Sequence, residues 1–305
     1  MIQETIRGVA EGPVSGPTGG AAPAARAIGR PRVGRARLRD LPKHAILLLL
    51  LVLTFYPFVA MVFISGKDFG QFTTQTWGLS LPFHWENYAA AWPSVSVYIV
   101  NSVIVAGGSA LGVIVLSTLS AYVFARYSFP GREVLFYLII GLLMIPFILT
   151  LIPQYILVRD LHLLNTRWAL ILPYTSGGQA FGIFLLRSFF AALPEELFEA
   201  ARIDGAGDPT IVVRLVLPLS WSIIATLAIF HVLYVWNDII WPAVAIDDDA
   251  LKTIVTGLLS FTSAHSTDYG PLMAGYALAS LPLLLLFAVA SRYFVAGLTS
   301  GALKV

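Results

Sequence analysis

The chain is 305 residues long, 57% hydrophobic and only 12% charged, with a mean hydropathy of +0.80. Soluble globular domains carry about twice that charged share, so the composition is that of a membrane protein. The net charge of +2 gives no argument for nucleic acid, because the basic residues fall where topology signals do. The absence of cysteine excludes disulfides, thiolate metal sites and cysteine nucleophiles.

Residues 1–44 are rich in Gly, Ala, Pro and Arg without apolar periodicity, which predicts a disordered basic tail. Beyond it, stretches free of Asp, Glu, Lys and Arg run over 45–66, 87–125, 134–158, 168–186, 215–237 and 269–291. Each is comparable with the roughly 20 residues a helix needs to cross hydrocarbon. They predict six spans near 45–66, 97–125, 134–153, 168–190, 211–237 and 271–292. The first has no small-residue cleavage site before Lys67 and reads as a retained anchor. The second is expected to start near Val97, because Trp92-Pro93-Ser94 interrupts the long gap. Pro57, Pro146, Pro173 and Pro282 lie inside spans and predict kinks that packed neighbours tolerate.

Between the first two spans, Trp77, Trp85, Tyr88 and Trp92 read either as an interfacial belt or as a rim touching an external partner. The turn RYSFPGRE, Arg126 to Glu133, is short and basic, and 153–167 is a mixed loop. In the loop expected over 238–271, Asp247, Asp248 and Asp249 lack the alternating ligands and turn glycine of a calcium loop and read as a solvated patch. With the N-terminus inside, 15 Lys and Arg residues fall on the inner side and 4 on the outer, which predicts that both termini are cytoplasmic.

On that inner side, between the fourth and fifth spans, stands PEELFEAARIDGAGDP, Pro194 to Pro209. Pro194 suits a helix start, and Glu195 and Glu196 complement the dipole of a first turn. At 100° per residue Glu195, Glu199 and Arg202 share one side, with Glu199 and Arg202 an i, i+3 pair. Leu197, Phe198 and Ala201 share another. Gly205 and Gly207 permit a reversal, and Asp208-Pro209 is a good N-cap and first-position pair for a second helix. So small a knob has too little core of its own, so its apolar face is expected to bury against the bilayer surface or another protein. Its acids would be repelled by anionic lipid, which favours a protein.

The pattern Glu199-Ala200-Ala201, Gly205 and Leu215-Val216-Leu217-Pro218 resembles the coupling motif E-A-A-x3-G-x9-I-x-L-P of ABC-importer permeases, with Leu215 in place of Ile. LPFHWENYAAAW, NSVIVAGGSALG, AYVFARYSFPGRE, FEAARIDGA, YVWNDIIWP and RYFVAGLTSGALKV resemble the carbohydrate-uptake permeases of the maltose-importer (MalG-like) type. The resemblance covers roughly 45–305. It implies an all-α membrane protein of six transmembrane helices with a cytoplasmic coupling helix, the ABC type I importer permease, in a bacterial or archaeal cell (inner) membrane.

It also implies a homologous second permease sharing the path, two ATPase subunits inside, and a sugar-binding protein outside that delivers a mono-, di- or oligosaccharide. Carried over, Glu199, Ala200, Ala201, Asp204 and Gly205, with the first-turn acid Glu195, are the ATPase-coupling residues. The family's C-terminal tail reaches the ATPase, and Gly301 to Val305 is the corresponding stretch. No catalytic constellation and no phosphate-cradling GxxxxGK[ST] sequence is present, so this chain is expected to be a transport subunit and not an enzyme. No cofactor is expected on this chain; ATP and Mg belong to the partner ATPase.

Polar residues inside spans are costly in lipid and face a bundle interior. Asn101, Gln179, His231, Asn237 and Asp238 are therefore candidates for the substrate path, with Trp236 as a stacking surface. Each reads equally as a helix–helix hydrogen bond, a capped helix end or an interfacial anchor. An ion-coupled secondary transporter would need more intramembrane ionisable groups than His231 and the edge residue Asp238. The sequence is also compatible with a non-transporting scaffold that uses the short helix only for assembly, and with an importer of a non-sugar solute.

Overall fold

The computed structural model describes residues 41–265 and 268–302, with side chains over 42–265 and 268–288. The basic tail expected to be disordered lies outside the described residues up to position 40, as does most of the 301–305 tail. Among the described residues there is no strand. In chain order the helices are α1 (Leu41–Ser65), α2 (Phe69–Thr74), α3 (Glu86–Arg126), α4 (Arg132–Gly141), α5 (Phe147–Asp160) and α6 (Trp168–Ala191). They continue with α7 (Glu195–Ile203), α8 (Asp208–Leu219), α9 (Trp221–Asn237), α10 (Ile240–Ala245), α11 (Ile254–Ala264) and α12 (Tyr269–Ala302).

The chain divides into two units, Met1–Thr54 and Phe55–Val305. In the first, the described residues 41–54 are helical, and Leu47 to Leu51 are each more than half exposed. An exposed run of apolar side chains on a helix suits a lipid surround. The second unit carries the remaining elements.

By length and composition α1, α3, α6 and α12 can each cross a membrane unbroken. Two further helix pairs are long and apolar enough only when each is taken together, and both are bent as a broken span or a re-entrant loop is: α4 meets α5 at 98°, and α8 meets α9 at 80°. The first break falls at Ile145-Pro146. Proline disfavours helical angles at the preceding residue, and Ile145 is extended at φ −79°, ψ 116°. Pro146 thus breaks its helix where a kink was expected. The second break follows a π-turn over Val212–Val216 and Pro218, which has no amide hydrogen to give. By contrast Pro57, Pro173 and Pro282 all lie inside continuous helices.

The second span departs from expectation. It does not start near Val97 after a break at Trp92-Pro93-Ser94 but runs unbroken for 41 residues from Glu86. Pro93 forfeits one hydrogen bond, while Ala91, Val95 and Tyr98 bury against Ile254, Leu258 and Phe261 of α11 and Leu272 and Ala274 of α12. The region read as a loop over 238–271 supplies that α11 face and also α10. The loop expected over 153–167 is helical to Asp160.

The long helix α3 is the spine of the second unit, and α6 lies along it. Small residues make that closeness possible. A Cβ on Gly182 would fall 2.2 Å from Ser117 Oγ and one on Gly178 2.5 Å from Val113, whereas nothing lies within 4 Å of one on Gly177. Gly182→Val therefore forces α6 off α3, at a cost of about 1–3 kcal/mol. The melting temperature of the detergent-solubilised protein falls for Gly182→Val and is unchanged for Gly177→Val.

Candidate coupling site

Helix α7 begins with Pro194 at the N-cap and Glu195 and Glu196 in the first turn. It ends in a Schellman closure. Gly205, at φ +80°, donates its amide to the Arg202 carbonyl at 3.0 Å, and Ala206 donates to the Ala201 carbonyl at 2.9 Å. The left-handed angle is why glycine stands at 205. Asp204 is the C-cap residue, its amide bonded to the Ala200 carbonyl.

Two faces of α7 have different environments. Phe198 is fully buried among Tyr122, Leu186, Phe190, Ile211 and Val216, and Ala201 packs against the same cluster. The apolar face is thus covered by the chain's own α3, α6 and α8, and not by bilayer or another protein as its small size suggested. The opposite face is open: Glu196, Glu199, Ala200 and Asp204 are exposed, with Leu197 and, at 85%, Ile203. Glu199 makes no side-chain hydrogen bond or ion pair to any described residue. Arg202 lies 3.6 Å from Glu195, so the expected Glu199–Arg202 pair is not the one formed.

The inward face is fastened by side chains that the sequence did not single out for this role. Arg126, the last residue of α3, reaches Glu195 Oε2 with Nη1 at 2.6 Å. Its Nη2 donates to the carbonyls of Phe190 at 2.6 Å and Leu193 at 2.8 Å, and its guanidinium carbon lies 3.7 Å over the Phe198 ring. Beyond α7, Asp208 accepts from the hydroxyls of Tyr122, at 2.9 Å, and Tyr127. The carboxylate beside Tyr127, with some desolvation, holds that phenol above its ordinary pKa. Asp208 was expected as an N-cap; Gly207 holds that position, and the carboxylate serves the tyrosines. The signals in the sequence were Arg126 as the first charge after a long uncharged run, and an isolated acid before Pro209.

The candidate path residues meet partners within the chain. Asn101 is buried and fully engaged, donating to the carbonyls of Ala250 and Lys252 and accepting two bonds from Arg167. Gln179 accepts from Ser117 at 2.9 Å, and His231 meets Ser109 at 3.1 Å. Trp236 is buried in the core beside Tyr98 and Ile254. Asn237 is exposed and donates to the Leu233 carbonyl. Asp238 takes the Tyr174 hydroxyl at 2.8 Å and caps α10 through the amide of Ile240. No hydrogen bond joins any two of Asn101, Gln179, Trp236, Asn237 and Asp238. Among the described residues no group of three or more His, Asp or Glu could hold a metal ion.

Residues 113–300 match the family model described as binding-protein-dependent transport system inner membrane component. The chain is 36% identical to the diacetylchitobiose uptake system permease protein NgcG of Streptomyces coelicolor, over 86% of this chain and 88% of that protein. It is 32% identical to the melibiose/raffinose/stachyose import permease protein MelC of Bacillus subtilis, over 82% of this chain and 91% of that one. A chain of a bacterial ABC transporter involved in import of the acidic polysaccharide alginate superposes with a TM-score of 0.75 at 20% identity, covering 86% of this chain and 98% of that one. The chain belongs to this family, the multi-pass membrane permease subunits of ABC importers. The resemblance drawn from Glu199 to Pro218 is met at that level, and the transport step is this chain's work while ATP hydrolysis is a separate subunit's.

Loss of the Asp208 carboxylate strands the hydroxyl of Tyr122, a residue that is 3% exposed. Asp208→Ala is expected to cost about 1–3 kcal/mol. Adding Tyr122→Phe removes the stranded hydroxyl, so thermal melting of the double variant recovers part of the loss.

Proposed function

We propose that this chain forms half of the translocation path of an ATP-driven importer for a carbohydrate, with both termini cytoplasmic and α7 seated in a cleft of the ATPase. The observation that carries the reading is the division of α7: a buried Phe198 anchors it to the permease, while Glu199, Ala200, Asp204 and Ile203 are left open. Alanine allows close approach of a partner, and an acid free of internal pairs can meet a partner cation. A homologous second permease completes the path, two ATPase subunits carry ATP and Mg, and an external binding protein delivers the solute. Residues 45–305 make up the permease domain, and the basic tail over 1–44 is dispensable for transport. A sugar is the substrate class favoured by the uptake systems to which NgcG and MelC belong.

In the intact importer, Glu199→Lys reverses the charge on the open face, and Gly205→Val forces a β-branched residue into the left-handed region at a cost of about 1–2 kcal/mol. Both variants insert but lose copurified ATPase and ATP-dependent uptake of labelled sugar. Normal values for both overturn the assignment. Titration of the copurified binding protein with mono- and disaccharides identifies the substrate, and binding of a non-sugar solute alone reassigns its class.

A further inference from the structure

The link between α7 and the spans converges on the last turn and a half of α3. Tyr122 and Arg126 are four residues apart and share one face of that helix, and Tyr127 follows directly. Arg126 holds the start of α7 through Glu195, and Tyr122 and Tyr127 hold the segment beyond its end through Asp208. The same guanidinium fastens α6: it donates to the Phe190 carbonyl, which also accepts from the Leu193 amide at 3.3 Å, and to the Leu193 carbonyl just beyond the end of that helix.

The connections around α7 are short: Ala192 to Pro194 lead in, and a segment with two glycines, Gly205 and Gly207, leads out. Without a clamp, a push on the open face would be taken up by rotation at these two joints. Arg126 is 6% exposed in its side chain, and its Nε is buried without a partner. The group has given up hydration for its contacts with Glu195, two carbonyls and the Phe198 ring. Only a planar fork meets these acceptors together; a lysine is one point charge.

We infer that Arg126 is a positioning residue for coupling: it locks α7 to the ends of α3 and α6, so that displacement of α7 moves the second and fourth spans as one body. The inference rests on the reading of α7 as the docking helix.

The test uses the complete importer reconstituted with its ATPases and binding protein. The chain has no native cysteine, so Leu119→Cys on α3 and Glu196→Cys on α7, both exposed, place a spin-label pair across the clamp; because Glu196 stands on the open face, copurification and uptake are read in the importer without the label pair. The parent gives one narrow distance. In R126Q the ATPase still copurifies, the distance distribution broadens, and uptake per ATP hydrolysed falls about tenfold or more, as when a hydrogen bond to a charged group is lost. Parental uptake, or an unchanged distance distribution, overturns the inference. Should R126Q fail to reach the membrane, R126K is read by the same two measurements and shows both changes at smaller amplitude. Glu199→Lys separates the two claims. If it leaves ATPase attachment and uptake intact, the docking reading fails; if it uncouples while R126Q does not, only the role of Arg126 fails.

Discussion

In hydrocarbon no water can reach an open backbone amide or carbonyl, so a chain this apolar has to close its main-chain hydrogen bonds within itself. That requirement makes the described residues helical and turns every interruption into a local problem of satisfaction. At the α4–α5 break, Ile145 donates to the Leu142 carbonyl and Leu149 to that of Pro146. At the α8–α9 break, the Ser220 amide reaches the carbonyls of Val216 and Leu217. Where the ladder thins at the end of α6, a charged side chain adds donors to the carbonyls of Phe190 and Leu193, and that side chain is Arg126. The same constraint that builds the spans therefore decides where a guanidinium can stand, and it stands against α7.

Helix α7 is polar on its open side and apolar toward its own core. Nine residues are too few for a helix to persist alone in water. Its order comes from Phe198 in the core, from the Schellman closure at Gly205 and from Arg126 and Asp208 on either side. None of these uses Glu199, Ala200 or Asp204 side chains, which leaves the open surface free of internal obligations. Glu195 has a different character: shared between Arg126 and Arg202, it belongs as much to the fastening as to the open face.

Legibility in the sequence followed the range of the physics. Uncharged runs reported spans, because burial of charge in lipid is costly wherever the residue sits. Gly205 reported its turn, since a left-handed angle is a local demand. The start of α3 was hidden because Trp92-Pro93 is a local breaking signal overruled by packing of Ala91, Val95 and Tyr98 on helices over 150 residues away. Helix α11 was missed although Ile254, Leu258 and Phe261 recur at helical spacing, because at 11 residues it is too short to register as a span. The partners of Arg126 and Asp208 lie 64 to 86 residues away, and no spacing rule reaches that far. Asn101, Gln179 and Asp238 showed the cost of a polar group in a span, but not that Arg167, Ser117 and Tyr174 meet it.

A helix whose order comes from its neighbours is also a reporter of them. Phe198 shares one cluster with Tyr122 of α3, Leu186 of α6 and Ile211 of α8, and close-packed clusters shift between discrete arrangements rather than deform smoothly. Any rearrangement of α3 against α6 must therefore re-aim the open face of α7. By linkage, anything that binds that face in one orientation favours the matching arrangement of the spans. Coupling in both directions then needs no long relay through the bundle. It needs the short distance from Glu199 to Phe198 to be rigid, and that rigidity is what the fastening at both ends of α7 provides.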